Sequence, residues 1–296
     1  MIEPISLYTL FYQNAIEEKE LLMHNHQKKI ALINDFCGFG RCSITVSLPI
    51  ISALKIQCCP IPTSIFSNHT AYDSFYRTDY TEHMAAYMKE WEKLGLHFQG
   101  ILIGYLASYE QIRVVREFIE YFKRPDTLCI LDPVMGDNGT LYHGYSPQLA
   151  ENMRELIPYA DLLTPNLTEA CILTDTPYRS SMNEHELLVL AEKLSKLGPK
   201  QIVISGLDRG QTLDNFIYEA GRAPDIVSSV KVGSCRCGTG DIFSSILAAD
   251  AVNKMPLTDS VNHACSFLQK ALKKTVELAI PPTDGICFEE CLDELM

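Results

Sequence analysis

From Lys28 onward the chain repeats one unit: a short aliphatic run, a cluster of polar residues and glycines, then a stretch of helical periodicity. Short apolar runs that alternate with amphipathic helices leave little choice but a mostly parallel central sheet with helices on both faces. Strands are predicted at residues 30–33, 60–66, 100–103, 128–131, 162–163 and 201–205, and helices at 44–54, 81–94, 109–122, 167–173 and 184–197. Residues 216–219 and 225–232 are expected to add an antiparallel edge. Open α/β sheets bind ligands beyond the carboxyl ends of their strands, so the polar clusters that follow these strands should meet at one edge.

Neither a Gly/Pro/Ser-rich linker nor an internal repeat divides the 296 residues. One domain over residues 28–296 is therefore expected, preceded by a helical extension at 1–27. That extension mixes Leu7, Leu10, Phe11, Ile16, Leu21 and Leu22 with Glu17-Glu18-Lys19-Glu20, and its acidic cluster argues against a secretory signal. Met23 is an alternative natural start. A net charge of -12 argues against a nucleic-acid partner, which needs a concentrated basic surface. No apolar run approaches the roughly 20 residues of a membrane span, and eleven cysteines, an odd number in a large chain, suit a reducing cytoplasm better than a disulfide framework. The adjacent Cys58 and Cys59, and Cys235 with Cys237, lack the usual zinc-ligand spacing and read as structural thiols.

The chemistry concentrates in five clusters. Gly238-Thr239-Gly240-Asp241 runs into the apolar helix that begins with Ile242. Its glycines allow close backbone approach, and the amides of a helix start cradle an anion. Asp241 suits a helix cap, or a base that takes a proton from a hydroxyl attacking a bound phosphate. Asp132-Pro133-Val134-Met135-Gly136-Asp137 follows a strand and offers two carboxylates, which suits magnesium and equally suits a turn. Thr164-Pro165-Asn166-Leu167-Thr168-Glu169 opens a helix with Asn166 and Glu169 on neighbouring positions of one face, a pattern shared with the capping box. Phe66-Ser67-Asn68-His69-Thr70 and Gly104-Tyr105 supply aromatic faces, hydroxyls and an imidazole that could enclose a small heteroaromatic substrate.

These five motifs, in this order over most of residues 28–280, resemble the pyridoxal/pyridoxine/pyridoxamine kinases of the ribokinase superfamily. The resemblance implies a ribokinase-like α/β fold without a separate β-sheet lid, and ATP-dependent phosphorylation of the 5′-hydroxymethyl group of a vitamin B6 vitamer. It implies Asp241 as the base, with Gly238, Thr239 and Gly240 forming the anion hole. Asp132, Asn166 and Glu169 would organise Mg2+ and the ATP phosphates, Asp132 and Glu169 as the metal carboxylates, with Asp137 nearby and Ser205 on a nucleotide phosphate. Phe66, His69, Thr70 and Tyr105 would shape the pyridine pocket, and a homodimer is expected.

The first glycine-rich loop, Asn34-Asp35-Phe36-Cys37-Gly38-Phe39-Gly40-Arg41-Cys42-Ser43, departs from that pattern. A serine commonly touches the ring in the B6 kinases, whereas Asp35 resembles the hydroxymethylpyrimidine kinases of thiamine synthesis. Those kinases are the nearest alternative, and a non-catalytic vitamer-binding protein is a second. Cys235 and Cys237 flank the anion loop, which places a thiol where it could meet an aldehyde substrate. No Walker-type Gly-Lys-Ser/Thr loop is present, in keeping with the ribokinase-like way of holding phosphate.

Overall fold

The computed structural model describes residues 27–296. The extension expected at 1–27 therefore lies, but for Gln27, outside the described residues. A nine-stranded sheet runs in the order β11-β10-β9-β8-β5-β4-β1-β2-β3. Its strands are β1 (Lys29–Cys37), β2 (Gln57–Phe66), β3 (Arg77–Asp79), β4 (Gly100–Ile103), β5 (Leu128–Leu131), β8 (Leu162–Leu163), β9 (Gln201–Asp208), β10 (Thr212–Glu219) and β11 (Asp225–Val230). From β2 through β9 every pairing is parallel, while β3 at one edge and β10 with β11 at the other pair antiparallel. β6 (Gly136–Asp137) and β7 (Thr140–Leu141) form a separate small hairpin. Among the described residues this hairpin is the only sheet apart from the main one, so no larger lid stands over the site.

Side chains of β1 alternate between two apolar layers. Ala31 and Ile33 join the core under α2 (Thr81–Leu94), α3 (Tyr109–Phe122), α4 (Pro147–Asn152), α5 (Leu167–Leu173) and α6 (Glu184–Ser195). Ile30 and Leu32 join the core under α1 (Ile44–Ala53), α7 (Thr239–Val252) and α8 (Leu257–Glu277). Burial on both faces explains why these strands read as continuous apolar runs. Local signals set the helix ends: Ser108 caps α3 by accepting from the Gln111 amide, and α2 stops at Gly95, whose φ of 63° is left-handed.

The sequence reading leaves α4, α8, β3 and the hairpin unassigned. α4 is a short helix with proline in its first turn, and the buried face of α8 interleaves Leu257, Val261, Ala264, Phe267 and Ala271 with Ser260, Cys265 and Thr275. Among the described residues no helix is long and apolar enough to cross a membrane.

Candidate active site

The carboxyl ends of β1, β4, β5, β8 and β9 face the start of α7, and that start is fixed by a steric constraint. Gly238, the N-cap, has a φ of +87°, and a Cβ there would lie 2.3 Å from the Arg41 carbonyl oxygen. Only glycine fits so close an approach in the left-handed region. Gly240 is the opposite case, since a Cβ there would have no heavy atom within 4 Å. The first amides of α7 thus open onto space, with the helix dipole favouring an anion in it. The Thr239 hydroxyl donates to the Arg236 carbonyl at 3.1 Å and tightens the turn beneath.

Asp241 stands in the first turn of α7 and is reached from β1 by Asn34. Asn34 Oδ1 accepts the main-chain N–H groups of Asp35 and Tyr105, each at 2.9 Å. Two donors on one atom identify it as the oxygen, so Nδ2 is the group that donates to Asp241 Oδ1, at 3.2 Å. Gly104 permits this, because a Cβ there would fall 2.7 Å from Asn34 Cγ. Burial raises the pKa of Asp241, while hydrogen bonds from the Ser43 main chain and the Asn34 side chain pull it back. Asp35 beside it is pushed up to about 7 by burial, opposed by a Ser43 hydrogen bond and reinforced by the charge of Asp241.

Asp132, just past β5, is pushed up to about 8 by burial and then by Asp241, with the Ser244 hydroxyl pulling the other way. Glu169 is held well above the usual carboxylate range by burial and by Asp132. Its two oxygens accept the amides of Met135 at 3.0 Å and Asn166 at 2.9 Å, while Asn166 Oδ1 accepts the Glu169 amide. The α5 capping box therefore exists, and it ties the loop after β5 to the helix. Asn166 Nδ2 also donates to the Gly136 carbonyl at 2.7 Å. Asp137 turns its carboxylate to the Asn138 amide and side chain. Ser205, within β9, pairs with Asn166 through an isolated parallel bridge beyond the end of β8.

Two mutually repelling buried carboxylates suit a divalent cation, whose charge would relieve the cost of ionising both. Among the described residues no group of three or more His, Cys, Asp or Glu side chains is placed to hold a metal. Magnesium keeps several waters and relies on one or two carboxylates with substrate phosphates, so a pair such as Asp132 and Glu169 suits it.

Aromatic rings cluster beside Asp35 and form the wall of the candidate substrate chamber. Phe66 lies 5.9 Å from Phe75 and 6.3 Å from Tyr105 between ring centroids, and Tyr105 meets Tyr145 at 6.3 Å. His69 is placed otherwise than a pocket residue. Its Nε2 meets the Thr283 carbonyl at 2.7 Å and its Nδ1 accepts the Ala71 amide at 3.2 Å, so the ring carries its proton on Nε2 and braces main chain. Thr70 is exposed. Cys235 is exposed and Cys237 half-buried, and burial pushes the Cys237 thiol up to about 11, which keeps it protonated near neutral pH.

Three residues here escaped the sequence reading. Asn34 was legible only as part of a polar cluster, because its role depends on β4 lying beside β1. Arg77 sits on β3, three residues too short to show a period. Tyr145 is a core residue whose hydroxyl has no hydrogen-bond partner among the described residues.

Comparison with known proteins agrees with this geometry. The pyridoxal kinase of Arabidopsis thaliana is 30% identical over 230 residues, covering 74% of this chain and 72% of that protein. A Bacteroides thetaiotaomicron protein named after phosphomethylpyrimidine kinases, solved with pyridoxal, is 36% identical with a TM-score of 0.88 over 91% of this chain and 96% of its own. The pyridoxal kinase of Leishmania donovani, solved with ADP and pyridoxamine, shares the fold at 24% identity and a TM-score of 0.80, over 91% of this chain and 96% of its own. The model of the phosphomethylpyrimidine kinase family matches residues 47–282. With α7, the α5 capping box and every parallel strand but β1 inside that span, the chain belongs to the phosphomethylpyrimidine kinase family, on the ribokinase-superfamily fold.

Proposed function

We propose that the protein is a vitamin B6 kinase that transfers the γ-phosphoryl group of ATP to the 5′-hydroxymethyl oxygen of pyridoxal, pyridoxine or pyridoxamine. The observation that carries this reading is the junction made by Asn34, which joins the Tyr105 wall of an aromatic chamber to Asp241 at a helix N-terminus. A flat heteroaromatic ring in the chamber has its alcohol beside a carboxylate and an anion cradle. The pyridoxal-bound relative and the pyridoxal kinase relatives support the same substrate class, and the family name is shared with the pyrimidine alternative.

In this reading Asp241 accepts the hydroxyl proton as oxygen attacks phosphorus, and the amides of Gly238, Thr239 and Gly240 neutralise charge on the transferring group. Little else is required of the protein than alignment and charge stabilisation. Asp132, with Glu169 acting through water, would hold Mg2+, which when bound supplies positive charge to the phosphates. Asn166, Asp137 and Ser205 line the nucleotide side. Phe66 and Tyr105 sandwich or edge the ring, while His69 supports the loop that carries Thr70. Residues 28–296 form the catalytic domain. Cytoplasmic residence is supported by all eleven cysteines being free thiols, and a homodimer by the resemblance to B6 kinases.

The test is direct: purified protein with ATP and magnesium is offered each vitamer and the hydroxymethylpyrimidine alcohol, and products are identified by mass. A B6 vitamer is expected to give the higher kcat/KM. A tenfold advantage for the pyrimidine, about 1.4 kcal/mol in transition-state binding, would move the protein to the thiamine pathway.

A further inference from the structure

We propose that Arg77 binds the ring hydroxyl oxygen of a B6 vitamer and thereby sets the preference for that ring over the aminopyrimidine alcohol. The inference rests on the kinase reading above and deepens it. Arg77 is the register partner of Phe66 across the antiparallel β2 and β3 pair. Partners in that register point to the same face, so the guanidinium reaches over the chamber rather than away from it. Its central carbon lies 5.5 Å from the Phe66 ring centroid. One of its five N–H groups goes to Asp79 Oδ2 at 3.2 Å, which steadies the side chain without using up the fork. Burial raises the pKa of both Asp35 and Tyr105, and the charge of Arg77 opposes that rise at each, so its field reaches both walls of the chamber.

The two substrate rings differ in what they show a cation. A hydroxyl on an electron-poor pyridine ionises readily and presents an anionic oxygen, for which a guanidinium is a strong, charge-assisted donor. The aminopyrimidine has no hydroxyl there: the matching position is a neutral ring nitrogen, a weaker acceptor for a guanidinium than an anionic oxygen. Asp35 does not make this distinction. Its carboxyl group can accept equally from a protonated ring nitrogen or from an amino group, so the residue that looks pyrimidine-like in sequence is compatible with either ring.

The experiment crosses enzyme variants with substrate variants. Wild type, Arg77→Gln and Arg77→Lys are assayed for kcat/KM with pyridoxine, with its analogue lacking the ring hydroxyl, and with hydroxymethylpyrimidine. Arg77→Gln should lower kcat/KM for pyridoxine by about ten- to a hundredfold, the loss of one charge-assisted hydrogen bond. The other two alcohols should change by less than about threefold on the same scale. Arg77→Lys keeps the charge and should recover part of the loss, and it serves if Arg77→Gln fails to fold. A fall of equal size on all three alcohols, or no fall on any, overturns the proposal. Wild type that phosphorylates none of them overturns the kinase reading instead.

Discussion

Asn34 donates a hydrogen bond to Asp241 while its own carbonyl oxygen is held by the amides of Asp35 and Tyr105. One buried amide thus ties the proposed base to two strand ends and to the wall of the substrate chamber. The bond also orients the carboxylate, which takes a further hydrogen bond from the Ser43 main chain.

Asp241→Asn should therefore lower kcat by about a hundred- to ten-thousandfold, the usual range for loss of a general base. Nucleotide affinity should stay within a few-fold, because the amide keeps the size and leaves the α7 amides in place. Steady-state kinetics and ADP titration check both halves. Near-normal turnover at saturating substrates would remove Asp241 from the role.

Asn34→Ala removes the donor to Asp241 and the clamp on Tyr105 together, so kcat should fall and the vitamer KM rise. Gly104→Ala reaches the same amide from outside, since its Cβ would press on Asn34 at 2.7 Å. A smaller fall in kcat, about tenfold and equivalent to roughly 1.4 kcal/mol, is expected from it. If Gly104→Ala is indistinguishable from wild type, the position of the Asn34 amide does not matter for catalysis.

The glycines at the start of α7 should separate stability from activity. Gly238→Ala must place a side chain in the left-handed region against the Arg41 carbonyl, so it should destabilise the fold by more than about 1 kcal/mol and lower Tm. Gly240→Ala meets no protein atom and should leave Tm nearly unchanged, yet its methyl group enters the space assigned to the transferring phosphoryl group. Loss of kcat with an intact melting curve is the expected result for Gly240→Ala. Full activity would place the phosphoryl group elsewhere.

Where sequence and structure agree, the cause is periodicity. The parallel strands and α2, α3, α5 and α6 were legible because two-sided burial writes apolar runs and caps such as Asn166 and Asn183 punctuate helices. The cluster that contains Glu169 was legible too, but its pattern suited metal binding and a capping box alike, and the structure shows the capping box formed by a carboxylate that also faces Asp132. The main-chain partners of His69 were not legible, because an imidazole in a polar cluster carries no sign of them. Those are carbonyl and amide groups, one of them Thr283 at a sequence separation of 214. Arg77 was invisible for the converse reason, since its meaning comes from a cross-strand neighbour.

Two groups, the buried Asp35 and the half-buried His263, should give the stability a pH dependence of the same sign by different routes, and variants can separate them. Asp35 has a folded pKa of about 7 against its ordinary 3.8, so the folded state holds a proton that the unfolded state has released across that window. Stability then declines as pH rises from about 4 to about 7. Asp35→Asn should raise Tm above pH 7 and leave it unchanged near pH 4.

His263 in α8 faces the buried Asp250 of α7 at 2.9 Å, and Asp250 Oδ2 also accepts the Ser260 hydroxyl. Its hydrogen bond to Asp250 raises the pKa of His263 above 6.5, against the opposing effect of burial. The folded state therefore keeps the imidazolium to higher pH than the unfolded state does. Its contribution is fully present below about pH 6.5 and is lost as pH rises through the folded value. His263→Asn keeps a donor without the titrating charge, so it should lower Tm by a few degrees at pH 5.5 and converge on wild type at pH 8.5. Because His263 lies between α7 and α8, far along α7 from Asp241, the variant should leave the vitamer KM unchanged at either pH. A Tm difference that persists undiminished at pH 8.5 would mean that packing, and not the ion pair, is what His263 contributes.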